Sequence, residues 1–431
     1  MKMVLFLMLA MPVFAADSDA WWPTWRGVDG SGQVKNAKLP VKWDDTTNIK
    51  WMTKIPGHGL ATPVIWGDKL FVLTAIPTEK ETGNPTVEER SWMTAVSPDK
   101  FQKFDIIALD RNNGKVIWQK TAIEDAPHEG YHSDASWASG SPVTDGKYLL
   151  AHFGSRGLFA YDLDGNYKWK VDLGDMVTSY GFGEGSSPVI HGDRVIVNWD
   201  HEGDSFIVAL DLHTGKELWR KDRDEPTSWS TPAIVEYGGK TQVIVSATNK
   251  VRAYDIKDGS VIWSCSGMTR NTIPSPIVRD GMVYLSSGFR GNALMAIDLA
   301  KANGDITDTG AVVWKFDRDT PYVPGMLLYE NSLYFIKSNN AILSSFDIKT
   351  GKANYGPVRL DGVKGVYASP IGADGKIYIL GRAGATVVLE HGKEFKVLSV
   401  NKIDDRFDAS PAVAGNNLYL RGHKGVYCIA E

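Results

Sequence analysis

The 431 residues are enough for several ordinary domains or one large closed β body. The 47 basic and 51 acidic residues leave a net charge of −4, without the clustered Lys and Arg that nucleic-acid binding needs. The 43 glycines and 15 tryptophans favour many short strands joined by tight turns and stitched by aromatic side chains.

Residues 1–15 read as a secretory signal peptide: Lys2, an apolar run from Val4 to Met11, then Ala15 before Ala16. The run is too short to span a bilayer. No Cys lies near the cleavage site, so no lipid anchor is expected. The mature body, residues 16–431, is expected to be periplasmic or secreted, without a transmembrane segment, and monomeric.

A unit then recurs along the chain. It opens with Ser/Thr-Pro, runs through apolar–polar alternating strands joined by Gly/Asp turns, and ends in an Asp-to-Trp segment. The openings fall at Pro63, Pro142, Pro188, Pro232, Pro276, Pro370 and Pro411, with an irregular one at Val323-Pro324-Gly325. The steps from Pro142 to Pro276 are 46, 44 and 44 residues. The longer step from Pro63 holds one unit plus an insertion, residues 77–104, suited to a lid or partner arm. The total is eight. The last unit stops at Tyr427-Cys428-Ile429-Ala430-Glu431 without a Trp strand, and Asp44 to Trp51 supplies the missing one. The fold class that follows is all-β: a single eight-bladed β-propeller of four-stranded antiparallel blades, closed by an N-terminal strand that completes the last blade.

Within this frame Trp51, Trp118, Trp169, Trp219, Trp263 and Trp314 take equivalent places on outer strands and read as inter-blade packing. Asp110, Asp162, Asp211, Asp255, Asp298 and Asp347 precede turns and read as turn caps. Cys265 and Cys428 fall in distant blades, too far apart for a disulfide.

Function is expected where the repeats disagree, in the loops that share one face. The candidates there are His201, Trp229, Lys250, Arg270, Asn271, Arg290, Tyr322, Arg382 and Arg406. Around a central funnel they would suit a small anionic or planar ligand; the alternative is solvated loop tips. Asp222-Arg223-Asp224 and Asp317-Arg318-Asp319 nearly repeat one another and read as inter-blade ion-pair clasps. The segment from His128 to Asp134 carries metal-ligand types, but its spacing fits no helix face and no Cys partner exists, so no metal site is expected. No phosphate-binding Gly loop, nucleophile elbow or helix-borne zinc motif occurs.

Ala209-Leu210-Asp211-Leu212-His213-Thr214-Gly215-Lys216-Glu217-Leu218-Trp219 resembles the pyrroloquinoline-quinone-type propeller repeat, over Trp21 to Glu431 and including Trp22-Pro23-Thr24-Trp25-Arg26-Gly27. The chain looks like a branch of that repeat family without enzymatic hallmarks. Two relatives frame the choice. Quinoprotein alcohol dehydrogenases would imply pyrroloquinoline quinone (PQQ) and Ca²⁺ at the funnel, yet their adjacent Cys-Cys pair, haem motif and recognisable calcium ligands are missing here. The outer-membrane-assembly lipoprotein propeller would imply a scaffold for protein partners, though its anchor Cys is missing. The reading taken is an exported binding or scaffold propeller with no catalytic residues and no cofactor. A PQQ- or quinone-dependent oxidoreductase with an atypical site, or a carbohydrate-binding protein or lyase, is the alternative.

Overall fold

The computed structural model describes residues 21–83 and 95–431, so the expected signal peptide and the middle of the insertion lie outside the described residues. Eight antiparallel sheets follow one another around a ring. Blade three runs from inside to outside through Val189–His191, Arg194–Trp199, Phe206–Asp211 and Glu217–Asp222. In the last blade Ala412–Ala414, Asn417–Arg421 and Gly425–Ile429 take Ile49–Lys54 as their outer strand, with Trp51 opposite Cys428. The ring is therefore closed by the N-terminal strand, as the Asp44-to-Trp51 step implies. Cys265 and Cys428 are both free and buried.

The core lies in the gaps between blades. Each hydrophobic cluster joins one blade to the next, such as Phe71 and Phe104 with Leu149 and Phe159, and a larger cluster seals the closure around Trp51, Tyr419 and Ile65. Two-sided packing alters the expected alternation. Val195, Ile196, Val197 and Asn198 are all buried, because a blade's middle strands are covered on both faces. Only the outer strands keep a polar outward face, as in Glu217–Asp222, where Trp219 alone is buried.

Trp and Asp join successive blades at the rim. Trp219 donates from Nε1 to the carbonyl of Ile256 in the next blade at 2.9 Å, and Trp51, Trp118, Trp169 and Trp314 do the same to Arg111, Leu163, Leu212 and Ile348. In each case the acceptor follows the turn-capping Asp. Asp211 accepts from the backbone N–H groups of His213 and Thr214, which fixes that carbonyl. Across the strand each Trp faces a small residue at a bulge, as in the pairs Ala209 with Trp219 and Ala160 with Trp169. Gly259, at φ +71°, closes the turn under Trp219, where a Cβ would stand 2.6 Å from the indole. Trp263 departs from the rule. The next blade's turn is displaced by an excursion whose Gly304–Asp305 pairs beside Trp263, which donates instead to Gln242 Oε1 of its own blade.

A second joint runs around the inner ends of the blades, at the Ser/Thr-Pro openings. Thr62 donates its N–H to the hydroxyl of Ser141, Ser141 to Ser187, Ser187 to Thr231 and Thr231 to Ser275, at 2.9–3.1 Å. Gly325 donates to Ser369, and Ser369 to Ser410. The hydroxyls of Ser141, Ser187, Thr231, Ser275, Ser369 and Ser410 thus each satisfy a backbone donor at the preceding opening.

The N-terminal segment crosses the lumen before it joins the rim. Trp22 exchanges backbone hydrogen bonds with Ile65 of blade one. Arg26, buried, donates to the carbonyls of Ser31, Met326 and Pro370. Gln33–Val34 then lies parallel to Gly372 and Ala373 of blade seven.

Candidate functional site

A cavity of about 370 Å³ opens on the axis of the ring at the loop face. All eight blades or their connecting loops contribute to its lining. The belt hydroxyls Thr62, Ser141, Ser187, Thr231, Ser369 and Ser410 surround it, and Trp25 of the lumen-crossing segment reaches it. Its walls are aromatic. On one side stand Phe182 and Trp229, their rings 6.4 Å apart; on another, Phe289 and Tyr322 stack at 5.0 Å. Trp229, which lines the cavity, is held in place by a 2.7 Å bond from Nε1 to the Gly183 carbonyl.

A charged network forms the remaining wall. Asp134 accepts from Arg382 Nη2 and Arg406 Nη2 at 2.6 Å on Oδ1, and from Tyr367 and Arg382 Nη1 on Oδ2. Asp408, buried, holds Arg382 Nε at 2.5 Å and Arg406 Nε at 2.8 Å, with His423 Nε2 3.1 Å away. Burial works against the Arg382 charge, but Asp408 and Asp134 outweigh it and raise its pKa. Two carboxylates and two guanidiniums close on one another, and Asp134 has no acceptor position left over.

A smaller cavity of about 40 Å³, room for a water or two, adjoins the axial one and shares Ser139, Gly183, Glu184, Gly185 and Trp229 with it. Glu184 lies over Gly154, where a Cβ would meet its carboxylate, and accepts from the Ser155 N–H at 2.7 Å and from the Ser155 hydroxyl. Burial pushes the Glu184 carboxyl up to about 7. Burial likewise lowers His152 to about 4; its Nδ1 meets the Ser186 carbonyl, and its buried Nε2 has no protein partner.

Of the loop residues singled out in the sequence, Trp229 and Tyr322 line the axial cavity. Asn271 is buried beside the Tyr322 hydroxyl. Arg382 and Arg406 stand behind the wall, bound to Asp134 and Asp408. The expected convergence with His201, Lys250, Arg270 and Arg290 does not occur, because none of these four lines the cavity. His201 is buried in its own loop, accepting from the Val177 N–H at 3.2 Å. Lys250 pairs with Asp305. Arg270 is exposed, and Arg290 lies outside over the Phe289 ring at 5.3 Å. The lining of the cavity is instead aromatic and hydroxyl-bearing, with Asp134, Glu184 and Asp408 as its carboxyl groups.

The two repeated Arg loops also part company. Arg223 makes a buried ion pair within its own blade, with Asp200 at 2.6 and 3.0 Å, and reaches the next blade through a hydrogen bond to the Tyr254 hydroxyl rather than through an inter-blade ion pair. Arg318 rests over Phe316 instead, and Asp319 pairs with Lys337. The His128-to-Asp134 segment is spent on separate partners: His128 on Asp175, Glu129 on Thr178, Asp134 on the arginines. Among the described residues no group of three or more His, Cys, Asp or Glu is arranged to hold a metal ion. The insertion returns to the loop face, where Ala95–Val96 pairs with Tyr131–His132, and His132 is part of the cavity wall.

Sequence reasoning missed the belt hydroxyls, Trp25, Phe182 and Glu184. The repeated Ser/Thr before Pro was the signal for the belt, because a hydroxyl kept at one position in blade after blade implies a repeated acceptor.

This architecture, eight four-stranded blades around an axial cavity, five of them docked to the next by a rim Trp, is an eight-bladed β-propeller. It superposes on quinohemoprotein alcohol dehydrogenase from Comamonas testosteroni with a TM-score of 0.59, over 95% of this chain and 80% of that one, at 11% identity. The BamB structure from Moraxella catarrhalis gives 0.55, over 88% and 99%, at 16% identity. At such identities these likenesses concern the fold alone. The family profile described as outer membrane protein assembly factor BamB matches residues 102–352, and the chain belongs to that family. Outer membrane protein assembly factor BamB of Yersinia pestis is 28% identical over 258 residues, 55% of this chain and 58% of that protein. The match to the same factor of Moranella endobia, at 24% identity, also spans 58% of its length. A shorter match, 26% identical over 148 residues, covers 29% of this chain and 22% of methanol dehydrogenase subunit 1 of Methylobacterium organophilum.

PQQ with Ca²⁺, the group that the dehydrogenase fold implies, does not fit these residues. The cation would need free carboxylate oxygens at the cavity; Asp134 and Asp408 already face arginines with both oxygens, and Glu184 faces Ser155 with both of its own.

Proposed function

We propose that this chain is an exported, periplasmic scaffold that presents its loop face to protein partners in outer-membrane protein assembly, without chemistry of its own. The observation that carries the reading is the closed Asp134–Arg382–Asp408–Arg406 network. Two of the three carboxylates that line the axial cavity are spent in holding the loops of blades one, seven and eight to one another, and the third, Glu184, is turned to Ser155. A rigid, internally neutral face on a closed ring is what docking requires, because little side-chain freedom is lost on binding. Family membership supports the same reading, since the curated relatives are named as assembly factors. The oxidoreductase alternative is disfavoured by the same network.

The test is site-specific photo-crosslinking in the native host. A photoreactive side chain at Arg270 or Arg290 should give one discrete adduct with a component of the outer-membrane assembly machinery. The same group at the rim positions Val116 or Leu218, both exposed, should give none. Loop-face probes without an adduct, or equal adducts from rim and face, would overturn the reading.

A further inference from the structure

The axial cavity carries chemistry that scaffolding does not use. We propose that it binds one ring of a neutral saccharide, a polyhydroxylated ring with an apolar C–H face and a hydroxyl edge. This does not depend on the scaffold reading.

The first observation is charge closure. Asp134 and Asp408 are matched by Arg382 and Arg406, so of the three carboxyl groups lining the cavity only Glu184, turned to Ser155 and raised to about 7, is left without a cation partner. The second is the belt. The hydroxyls of Ser141, Ser187, Thr231, Ser369 and Ser410 each accept one backbone N–H, and all five line the cavity. A hydroxyl that accepts still has its own hydrogen to donate. Among the described residues none of these hydrogens has a protein acceptor at hydrogen-bond distance. The lumen is therefore ringed by donors that can also accept, which matches a ligand whose hydroxyls do both. The third is the pair of aromatic walls. Trp229 and Phe182 on one side, Tyr322 and Phe289 on the other, line a space whose volume lies within the range of small-molecule pockets. Glu184, at the junction of the two cavities, adds a carboxyl that acts as donor or acceptor around neutral pH.

The test uses the full mature protein. Isothermal titration and intrinsic tryptophan fluorescence would follow D-glucose, N-acetyl-D-glucosamine and cellobiose, with D-glucuronate and D-glucosamine as anionic and cationic counterparts. Saturable one-to-one binding of at least one neutral probe is expected, with the charged counterparts weaker by about tenfold or more. Trp229→Ala and, on the opposite wall, Tyr322→Ala should each weaken binding by about tenfold, with folding verified by circular dichroism. No saturable binding of any neutral probe to the folded protein would overturn the proposal, leaving the cavity to water. So would equal or tighter binding of glucuronate or glucosamine, or undiminished binding by both folded variants.

Discussion

Arg382 grips Asp134 with two guanidinium nitrogens, at 2.6 and 3.1 Å, across 248 residues of sequence. The carboxylate sits on the loop that enters blade two, and the guanidinium on a hairpin loop of blade seven. Both side chains are one-fifth exposed, so the pair is neither a surface ion pair nor a fully desolvated one. Asp134→Asn removes the charge but keeps the shape. It should cost about 2 kcal/mol in urea unfolding. It also leaves Arg382 and Arg406 sharing only Asp408, so the wall turns cationic. Sulfate should then raise the Tm of the variant more than that of the parent chain.

That pair marks where the sequence stops being informative. Blade count, ring closure at Trp51 and the docking roles of Trp219 and Asp211 were all legible, because a repeat displays the same local geometry several times over. Arg382 and Asp134 belong to no repeat. Which loop cation meets which loop acid depends on how the ring brings distant loops together, and no local spacing records it. Arg223 and Arg318 make the point within one motif. Near-identical loops place one guanidinium on the buried Asp200 and the other over Phe316. The pairing of Asp134 and Asp408 with arginines was hidden for the same reason, since cations can be counted in a sequence but their partners cannot. Trp25 was hidden differently, as its loop precedes the first blade and has no counterpart to compare.

The rim joint between Trp219 and the Asp255 turn can be dissected. Trp219→Phe removes the indole donor to Ile256 and should cost about 1 kcal/mol. Gly259→Ala places a Cβ against that indole at φ +71°, and should cost about 2 kcal/mol or more. Because the clash is with the indole, the two losses should not add. In the Trp219→Phe background the glycine substitution should be milder, read as a positive coupling in a urea double-mutant cycle.

Glu184 makes stability depend on pH in a direction opposite to an ordinary ion-paired carboxylate. Its folded pKa of about 7 lies above the ordinary 4.5, so between these values the folded state holds more protons than the unfolded one. Stability from this group is then fully present below 4.5 and lost as pH rises through 7. His152, lowered to about 4 from 6.5, acts the other way between those values, so the parent curve mixes both. The difference between Glu184→Gln and the parent isolates the carboxyl. The variant should gain on the parent by about 3 kcal/mol from pH 4.5 to 8, levelling above 7. Urea unfolding across that range reads it, and a flat difference would show that Glu184 ionises without cost.

Arg26 fastens the lumen-crossing segment to the ring. Its guanidinium is buried, and burial lowers its pKa to about 9 against the opposing pull of the Asp29 carboxylate. What holds it are three carbonyl acceptors, Ser31 within the segment and Met326 and Pro370 on the far side of the lumen. Arg26→Met keeps most of the stem volume and removes every donor, leaving those carbonyls short of a partner. The cost should be about 3 kcal/mol. The loss should also be local, because Trp22 and Ile49–Lys54 remain paired on either side of the freed stretch. Trypsin should therefore cut after the exposed Lys35 faster in the variant, while the far-ultraviolet circular dichroism of the ring stays unchanged. Equal cleavage rates would mean that the Gln33–Val34 pairing with blade seven holds the segment without help from Arg26.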